Sequence, residues 1–452
     1  MVLSSSTYFV FLLAVLLVYW PLARYRLPAL GLILLANYLF YARWDIWYLI
    51  LIPIASTVDF AIGRGLEFTK DTLLRRLLVG ASVMLNIGLL STLRFKPDLL
   101  EHNLALPLTL SFYAFQALTY TIDIYRGDAK STTSYLAHLA AVSFFPTIIA
   151  GPITRVSSLV TQFEKRKPLA AVDGSRALFM IGMGLSKKLL IADFLSANFV
   201  NRVFDFPSLY TGAENLLAVY AYAVQIYCDF SGYTDIARGS AMLMGFQLPV
   251  NFNRPYMARN LADFWRRWHI TLSHWLRDYL FFSLPGKRSK FMPYINLVIT
   301  MVLGGLWHGA NWNFAVWGLL HGVGLAVVRG WQSWRGPAQL SRAGQLFATV
   351  ATFHFVAFAW IFFRAPNLET VGAILGQIGS LTISFENVSG PIALVLAIGL
   401  AAHYIPKKWN DSLVDLFVRA PFYAQAAALL LLMLGLQNVV SSGAAPFIYT
   451  KF

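Results

Sequence analysis

Long, predominantly apolar runs recur along the whole chain, and no other feature restricts its possible folds as strongly. Tyr8–Trp20 is the first. Others lie at 28–42, 47–62, 77–93, 107–122, 136–150, 176–197, 214–230, 291–306, 312–329, 346–363, 389–404 and 422–438. As a helix, a run of this kind reaches across about 30 Å of hydrocarbon, since each residue adds about 1.5 Å. In lipid every backbone N–H and C=O must be paired within the segment, so helices are expected throughout. Composition agrees: 58% of the 452 residues are hydrophobic and 13% charged, roughly half the charge of a water-soluble domain. The expected fold class is all-α, a polytopic integral membrane protein. Of about thirteen candidate runs, about eleven are expected to be transmembrane helices, with re-entrant and interfacial helices between them. Residues 1–452 read as one membrane-embedded domain.

Thirty-six Lys and Arg stand against 21 Asp and Glu, a formal charge of +15. The basic residues lie in short loops between apolar runs. That pattern reads as retention on the cytoplasmic side and attraction to anionic lipid headgroups, not as nucleic-acid binding. No Lys or Arg precedes Tyr8, whereas Arg24 and Arg26 follow the first run and Arg64, Lys70, Arg75 and Arg76 crowd residues 63–76. The N-terminus is therefore expected outside and the 63–76 loop in the cytoplasm. Without a basic n-region or a small-residue cleavage site, the first run reads as an uncleaved span. Pro146, Gly151 and Pro152 are expected to break one run, and Asp229, Gly232 and Asp235 another. The single cysteine, Cys228, rules out an intrachain disulfide and any multi-cysteine metal site.

Residues 254–290 differ from the rest. Arg254, Arg259, Arg266, Arg267, Arg277, Lys287, Arg288 and Lys290 concentrate there. Phe264, Trp268, Leu272, Trp275 and Tyr279 recur at spacings of three and four, which predicts one amphipathic helix at the interface or tucked into the protein, bounded by Pro255 and Pro285. Arg266 and Arg267 fall off that stripe. Their guanidinium groups suit either lipid headgroups or the phosphates of a donor cofactor. His269 lies close to the apolar stripe and is a candidate for chemistry as well as for structure. His308 ends a run, Pro293–Trp307, that is otherwise uncharged, with glycines at 304, 305 and 309. An ionisable group at membrane depth is expensive, so His308 is a functional candidate by default. A neutral imidazole acts as a general base near pH 7 without a large pKa shift. His321 reads as structural, as do His102, His138, His354 and His403.

Other chemistries lack their motifs. There is no H-E-x-x-H, and His269 and His274 are five apart, so a zinc protease is not indicated and no metal site is expected. Gly182–Lys188 misses the spacing of a phosphate-binding loop, and no G-x-S-x-G elbow occurs.

Several stretches together resemble the membrane-bound O-acyltransferase superfamily, and within it the bacterial alginate O-acetyltransferase branch. They include Ser111-Phe112-Tyr113, Thr119–Arg126, Phe145-Pro146, Ala150-Gly151-Pro152-Ile153 and Lys187-Lys188 with Ala192-Asp193. Tyr227–Asp235, Asn251-Phe252-Asn253, Phe264–His269, Trp307–Trp312 and the ending Pro446–Tyr449 complete the set. The resemblance implies helices ringing a thinned membrane centre, with a funnel outside and a tunnel from the cytoplasm. It makes His308 the invariant catalytic histidine and His269 its partner. It also brings Trp307, Asn311, Trp268, Tyr227, Asp229, Ser231, Arg266 and Arg267 forward as substrate contacts.

The implied activity is an O-acetyltransferase of the bacterial inner membrane, with no bound cofactor and with acetyl-CoA as acyl donor. It would pass acetyl groups across the membrane for O-acetylation of an exported polysaccharide such as alginate. His308 would deprotonate the acceptor or carry the acyl group, and His269 would polarise the thioester carbonyl or orient the reaction. The bulk of Trp307, Trp312 and Trp268 favours a short acyl chain. The family implies a periplasmic serine-hydrolase-like acetyltransferase as partner, and this chain has no soluble domain for that task. The alternative is a polytopic transporter of a polymer or ion, for which broken helices and buried polar groups would also serve.

Overall fold

The computed structural model describes residues 2–43, 46–95, 106–148, 151–165, 168–286, 289–336 and 340–439. Every regular element among them is helical. Lys287, Arg288, Ala150, His102 and the ending Pro446–Tyr449 lie outside the described residues. The chain divides into two compact units, residues 1–182 with 233–249, and residues 183–232 with 250–452.

The first unit begins with α1 (Ser6–Leu22), α2 (Arg26–Ala42), α3 (Tyr48–Phe68), α4 (Thr72–Phe95) and α5 (Leu106–Arg126). Val10, Leu13 and Leu17 of α1 are 58–69% exposed, an apolar outer surface that suits lipid and not water. Polar groups face inward instead. Asp59 of α3 accepts hydrogen bonds from Ser82 (2.6 Å) and Asn86 (2.9 Å) of α4, and Ser82 meets Thr121 of α5 at 2.9 Å. The expected interruption at Pro146 is real: α6 (Tyr135–Val142) stops before α7 (Phe145–Ile148). Asn37 holds the break by accepting the Phe145 N–H at 2.9 Å and donating to Ala140 O at 3.2 Å. The short α8 (Val156–Glu164) and α9 (Ala171–Leu185) follow.

In the second unit the helix continues from α9 as π-helical turns, Ser186–Asp193 and Ser196–Val200, before α10 (Asn201–Asp205). The expected break at Asp229, Gly232 and Asp235 is absent, because α11 runs without interruption from Gly212 to Leu243. Two local facts explain why those residues are compatible with a helix. Asp229 is charge-paired with Lys188 at 2.6 Å. Gly232 lets α11 approach the π-turns, since a β-carbon there would lie 2.7 Å from Gly184 O.

The single amphipathic helix expected over 254–290 is likewise replaced by pieces: α12 (Leu261–Trp265), α13 (Ile270–Trp275) and a π-turn at Leu276–Leu280. Phe264, Trp268, Leu272, Trp275 and Tyr279 are all buried within the protein. The apolar stripe is present and buried, but it is carried by separate short helical turns and not by one helix.

Beyond it come α14 (Met292–His308), α15 (Trp312–Arg335), α16 (Arg342–Arg364), α17 (Leu368–Gly379), α18 (Gly390–Tyr404), α19 (Lys407–Arg419) and α20 (Phe422–Val439). By length and apolarity alone, Leu49–Phe68, Thr72–Ser91, Trp312–Arg335 and Arg342–Arg364 are long enough to cross a membrane. α18 and α19 meet at 96° and pass the same test only as a pair. Ser6–Leu22, Arg26–Ala42, Tyr135–Ile148, Met292–His308 and Phe422–Leu436 are shorter apolar helices.

Candidate active site

α14 and α15 form a tight hairpin with His308 at its tip. Gly305, Gly318 and Gly322 make the close approach possible, because a β-carbon at any of them would collide with the facing backbone. Asn311 caps α15 by accepting the Asn313 N–H at 3.2 Å, and its amide donates to Pro366 O at 3.0 Å. Asn313 adds a bond to Ala365 O at 2.7 Å. The hairpin tip is thereby tied to the turn after α16, and the expected substrate contact Asn311 is placed as a structural cap.

His308 is 7% exposed. Its ring meets Trp307 at 4.6 Å, Phe363 of α16 at 4.9 Å and Trp317 of α15 edge-on at 5.4 Å. Trp317 stacks on Trp360 at 5.9 Å, and Trp360 meets Trp268 at 5.1 Å. Trp268 immediately precedes His269. One aromatic wall therefore runs between the two histidines that the sequence singled out.

His269 occupies the turn that splits the expected amphipathic helix. Its φ of 39° is left-handed, a conformation that costs a residue with a β-carbon about 1–2 kcal/mol. Segment 251–253 holds the turn in place. Asn253 N–H donates to Arg267 O and Ile270 N–H to Asn251 O, both at 2.9 Å. The Asn251 side chain takes part as well: its Oδ1 accepts the Thr271 N–H (3.2 Å) and hydroxyl (2.9 Å) and lies 3.1 Å from His269 Nδ1. Phe230 of α11 lies edge-on to the imidazole at 4.6 Å and Phe252 stacks at 6.4 Å. His269 is 1% exposed, and burial pushes its imidazole down to about 3.

The remaining expected contacts are scattered. Trp268 is buried in the wall, with Phe252 at 5.1 Å and Phe264 stacked at 5.7 Å. Tyr227 packs edge-on to His403 at 4.6 Å, with Lys187 over its face at 5.9 Å. Asp229 belongs to a buried ion cluster in which Lys188 also meets Asp193 at 2.7 Å. The Ser231 hydroxyl is buried and makes no hydrogen bond among the described residues. Arg266 and Arg267 both pair with Asp263, at 3.4 and 3.0 Å. Trp312, invoked for a narrow site, is 77% exposed and does not narrow it.

Sequence reasoning passed over Asn251, Trp317, Trp360, Phe363 and Lys188 as individual residues. Their contacts cross from one element to another, and no local periodicity reports such pairs. His321, read as structural, accepts the Trp265 indole N–H at Nδ1 (3.3 Å) and packs on Trp317 at 4.9 Å. It is therefore part of the same wall. Chemically, the region supplies buried imidazoles in an apolar, water-poor setting, which suits moving a proton between substrates while excluding hydrolysis.

Comparison with known proteins accords with this chemistry. The sequence model of MBOAT, the membrane-bound O-acyltransferase family, matches residues 126–368. The chain is 38% identical over 430 residues to the "Probable alginate O-acetylase AlgI" of Azotobacter vinelandii, covering 90% of this chain and 84% of that protein. The peptidoglycan O-acetyltransferase of Helicobacter pylori is 33% identical over 80% of this chain and 76% of its own length. The teichoic acid D-alanyltransferase of Bacillus subtilis is 30% identical over 58% of this chain and 69% of its own. These relatives share transfer of an acyl group, and with the all-helical apolar fold they show that this membrane protein is an acyltransferase belonging to the membrane-bound O-acyltransferase family.

Proposed function

We propose that the protein is an O-acetyltransferase of the inner membrane. It takes acetyl from a cytoplasmic thioester, acetyl-CoA, and passes it outward for O-acetylation of an exported polysaccharide of the alginate kind. The observation that carries this reading is the wall Trp268–Trp360–Trp317, with His269 at one end and His308 at the other. Acetyl is favoured over D-alanyl by the relatives: those named as alginate O-acetylases match 82–90% of the chain at 36–39% identity, the D-alanyltransferases 50–58% at 28–30%.

The chemistry balances with imidazoles alone. One imidazole removes the proton of an acceptor hydroxyl as its oxygen attacks the thioester carbon. A C–O bond forms, the C–S bond breaks, and the departing thiolate takes the proton back. Arg266 and Arg267 remain candidates for the donor's phosphates, since guanidinium groups grip phosphate bidentately. A periplasmic serine-hydrolase-like acetyltransferase would complete delivery to the polymer.

The test supplies [14C]acetyl-CoA to inverted vesicles from cells making the full-length chain, and in parallel measures ester-linked acetyl on the exported polymer. Label transfer that disappears in His308→Ala, with the protein at normal abundance, supports the reading. A chain that exports polymer normally yet never mediates acetyl transfer from the labelled donor is a transporter, and the proposal fails.

A further inference from the structure

Thr271 N–H can only donate, so the Asn251 atom it meets is the amide oxygen. The same oxygen takes the Thr271 hydroxyl and lies 3.1 Å from His269 Nδ1. An oxygen cannot donate, so Nδ1 must carry the hydrogen of that contact. In a neutral ring the lone pair then resides on Nε2. A ring in that tautomer takes a proton at Nε2, and from that atom it cannot polarise a carbonyl until it has taken one.

We propose that Asn251 is a positioning residue for acyl transfer, keeping the His269 proton on Nδ1 so that Nε2 takes the proton of the attacking hydroxyl. This rests on the acetyl-transfer reading above and narrows it. The backbone argues in the same direction. Asn251 O receives the Ile270 N–H and Asn253 N–H reaches Arg267 O, so one short segment fixes both the left-handed turn and the tautomer of the residue within it. Strained backbone held from several sides is characteristic of sites where geometry serves function.

The His269 ring faces Phe230 of α11 and Phe252. Among the neighbouring charged groups, Asp229 pairs with Lys188, Arg267 with Asp263, and Arg254 donates to the carbonyls of His403 and Tyr404. Burial holds the His269 imidazole below its ordinary value, and Asn251 Oδ1 is the acceptor at its Nδ1.

The experiment compares wild type, Asn251→Ala and Asn251→Asp as full-length proteins in inverted vesicles with [14C]acetyl-CoA, from pH 5 to 8.5. The expected wild-type rate has no acid limb from His269 in this range. Asn251→Ala loses about tenfold or more in kcat with the donor KM nearly unchanged, since orienting partners of a catalytic histidine typically act on this scale. Asn251→Asp keeps the acceptor and adds a charge that favours the imidazolium. Its rate approaches wild type above pH 7 and falls about tenfold per pH unit below the raised pKa. An Asn251→Asp profile parallel to wild type, or an Asn251→Ala enzyme at full kcat, overturns the proposal. Nitrogen-15 NMR of histidine-labelled protein, with His269 assigned by its loss in His269→Gln, reads the tautomer without any donor. An Nδ1–H ring in wild type and mixed tautomers in Asn251→Ala support the assignment, and an Nε2–H ring in wild type refutes it. If wild type transfers no label, the donor reading fails while the NMR still decides Asn251.

Discussion

His308 places an ionisable ring where packing alone asks for an apolar one. It closes a helix with no other charge after Met292 and is sealed by Trp307, Trp317 and Phe363. If it acts on protons or on the acyl group, His308→Ala lowers acetyl transfer by about 10²–10⁴-fold. Immunoblotting of the membranes separates that loss from lost protein. The matched control is His354, whose exposed ring bonds the Val350 carbonyl of its own helix, and His354→Ala should stay within about twofold of wild type, as exposed substitutions away from special features usually do. His321 is unsuitable as a control because its ring touches Trp265 and Trp317. Lys188 offers a different residue-scale test. Its ammonium is buried between Asp193 and Asp229. Removing one partner of a buried ion pair leaves uncompensated charge and costs about 3–5 kcal/mol. Lys188→Met should therefore melt well below wild type in detergent, and below Asp193→Asn, which leaves one carboxylate on the lysine. Equal melting temperatures would show that the cluster contributes little to stability.

Among the elements, the α14–α15 hairpin depends most visibly on small residues. Gly305 faces the Phe314 carbonyl, Gly318 the Met301–Val302 backbone and Gly322 Val298. Gly305→Val should separate the helices at the turn that carries His308, reducing both abundance and activity. A valine variant with normal levels and rate, measured by blot and label transfer, would mean that the helices need not approach so closely. Helix positions such as these were legible in the sequence, because lipid demands continuous apolar runs and the runs fall where α1–α5, α14–α16, α18 and α20 lie. His269 and His308 were legible too, as ionisable residues in apolar surroundings. What escaped were the departures from regular helix. Asp229 and Gly232 have the composition of a break, but a buried lysine and a close helix contact absorb them into α11. Phe264 to Tyr279 have the period of one helix, but Asn251 and Asn253 capture backbone groups at Arg267 and Ile270 and bend the chain at His269. In both cases the deciding partner lies far away in sequence, where a local pattern carries no information.

At the scale of the whole molecule, orientation decides which end of the chemistry meets donor and which meets acceptor. In the first unit, Arg64, Lys70, Arg75 and Arg76 cluster where α3 ends and α4 begins. Two of them are built into that end. Arg64 bonds Ser131 at 3.0 Å, and Arg75 reaches back to the carbonyls of Leu66 and, at 2.8 Å, Tyr125. Arg126 and Lys130 fall at the same end of α5 or just after it. Short loops rich in Lys and Arg stay on the cytoplasmic side during insertion, and each such residue near an anionic leaflet adds about 1 kcal/mol of attraction. Two apolar helices, α1 and α2, separate Tyr48 from the N-terminus, and α3 leads from there to this loop. If α1, α2 and α3 each cross, a cytoplasmic 63–76 loop puts the N-terminus outside. Cys228 is buried, so a Cys228→Ala background leaves a clean surface for labelling. Lys70→Cys in that background should resist a membrane-impermeant maleimide in spheroplasts and react in inverted vesicles, while Ser5→Cys, beside the helix start of α1, should do the reverse. Labelling of residue 70 from outside would reverse the orientation, and with it the assignment of the cytoplasmic face to the acyl donor.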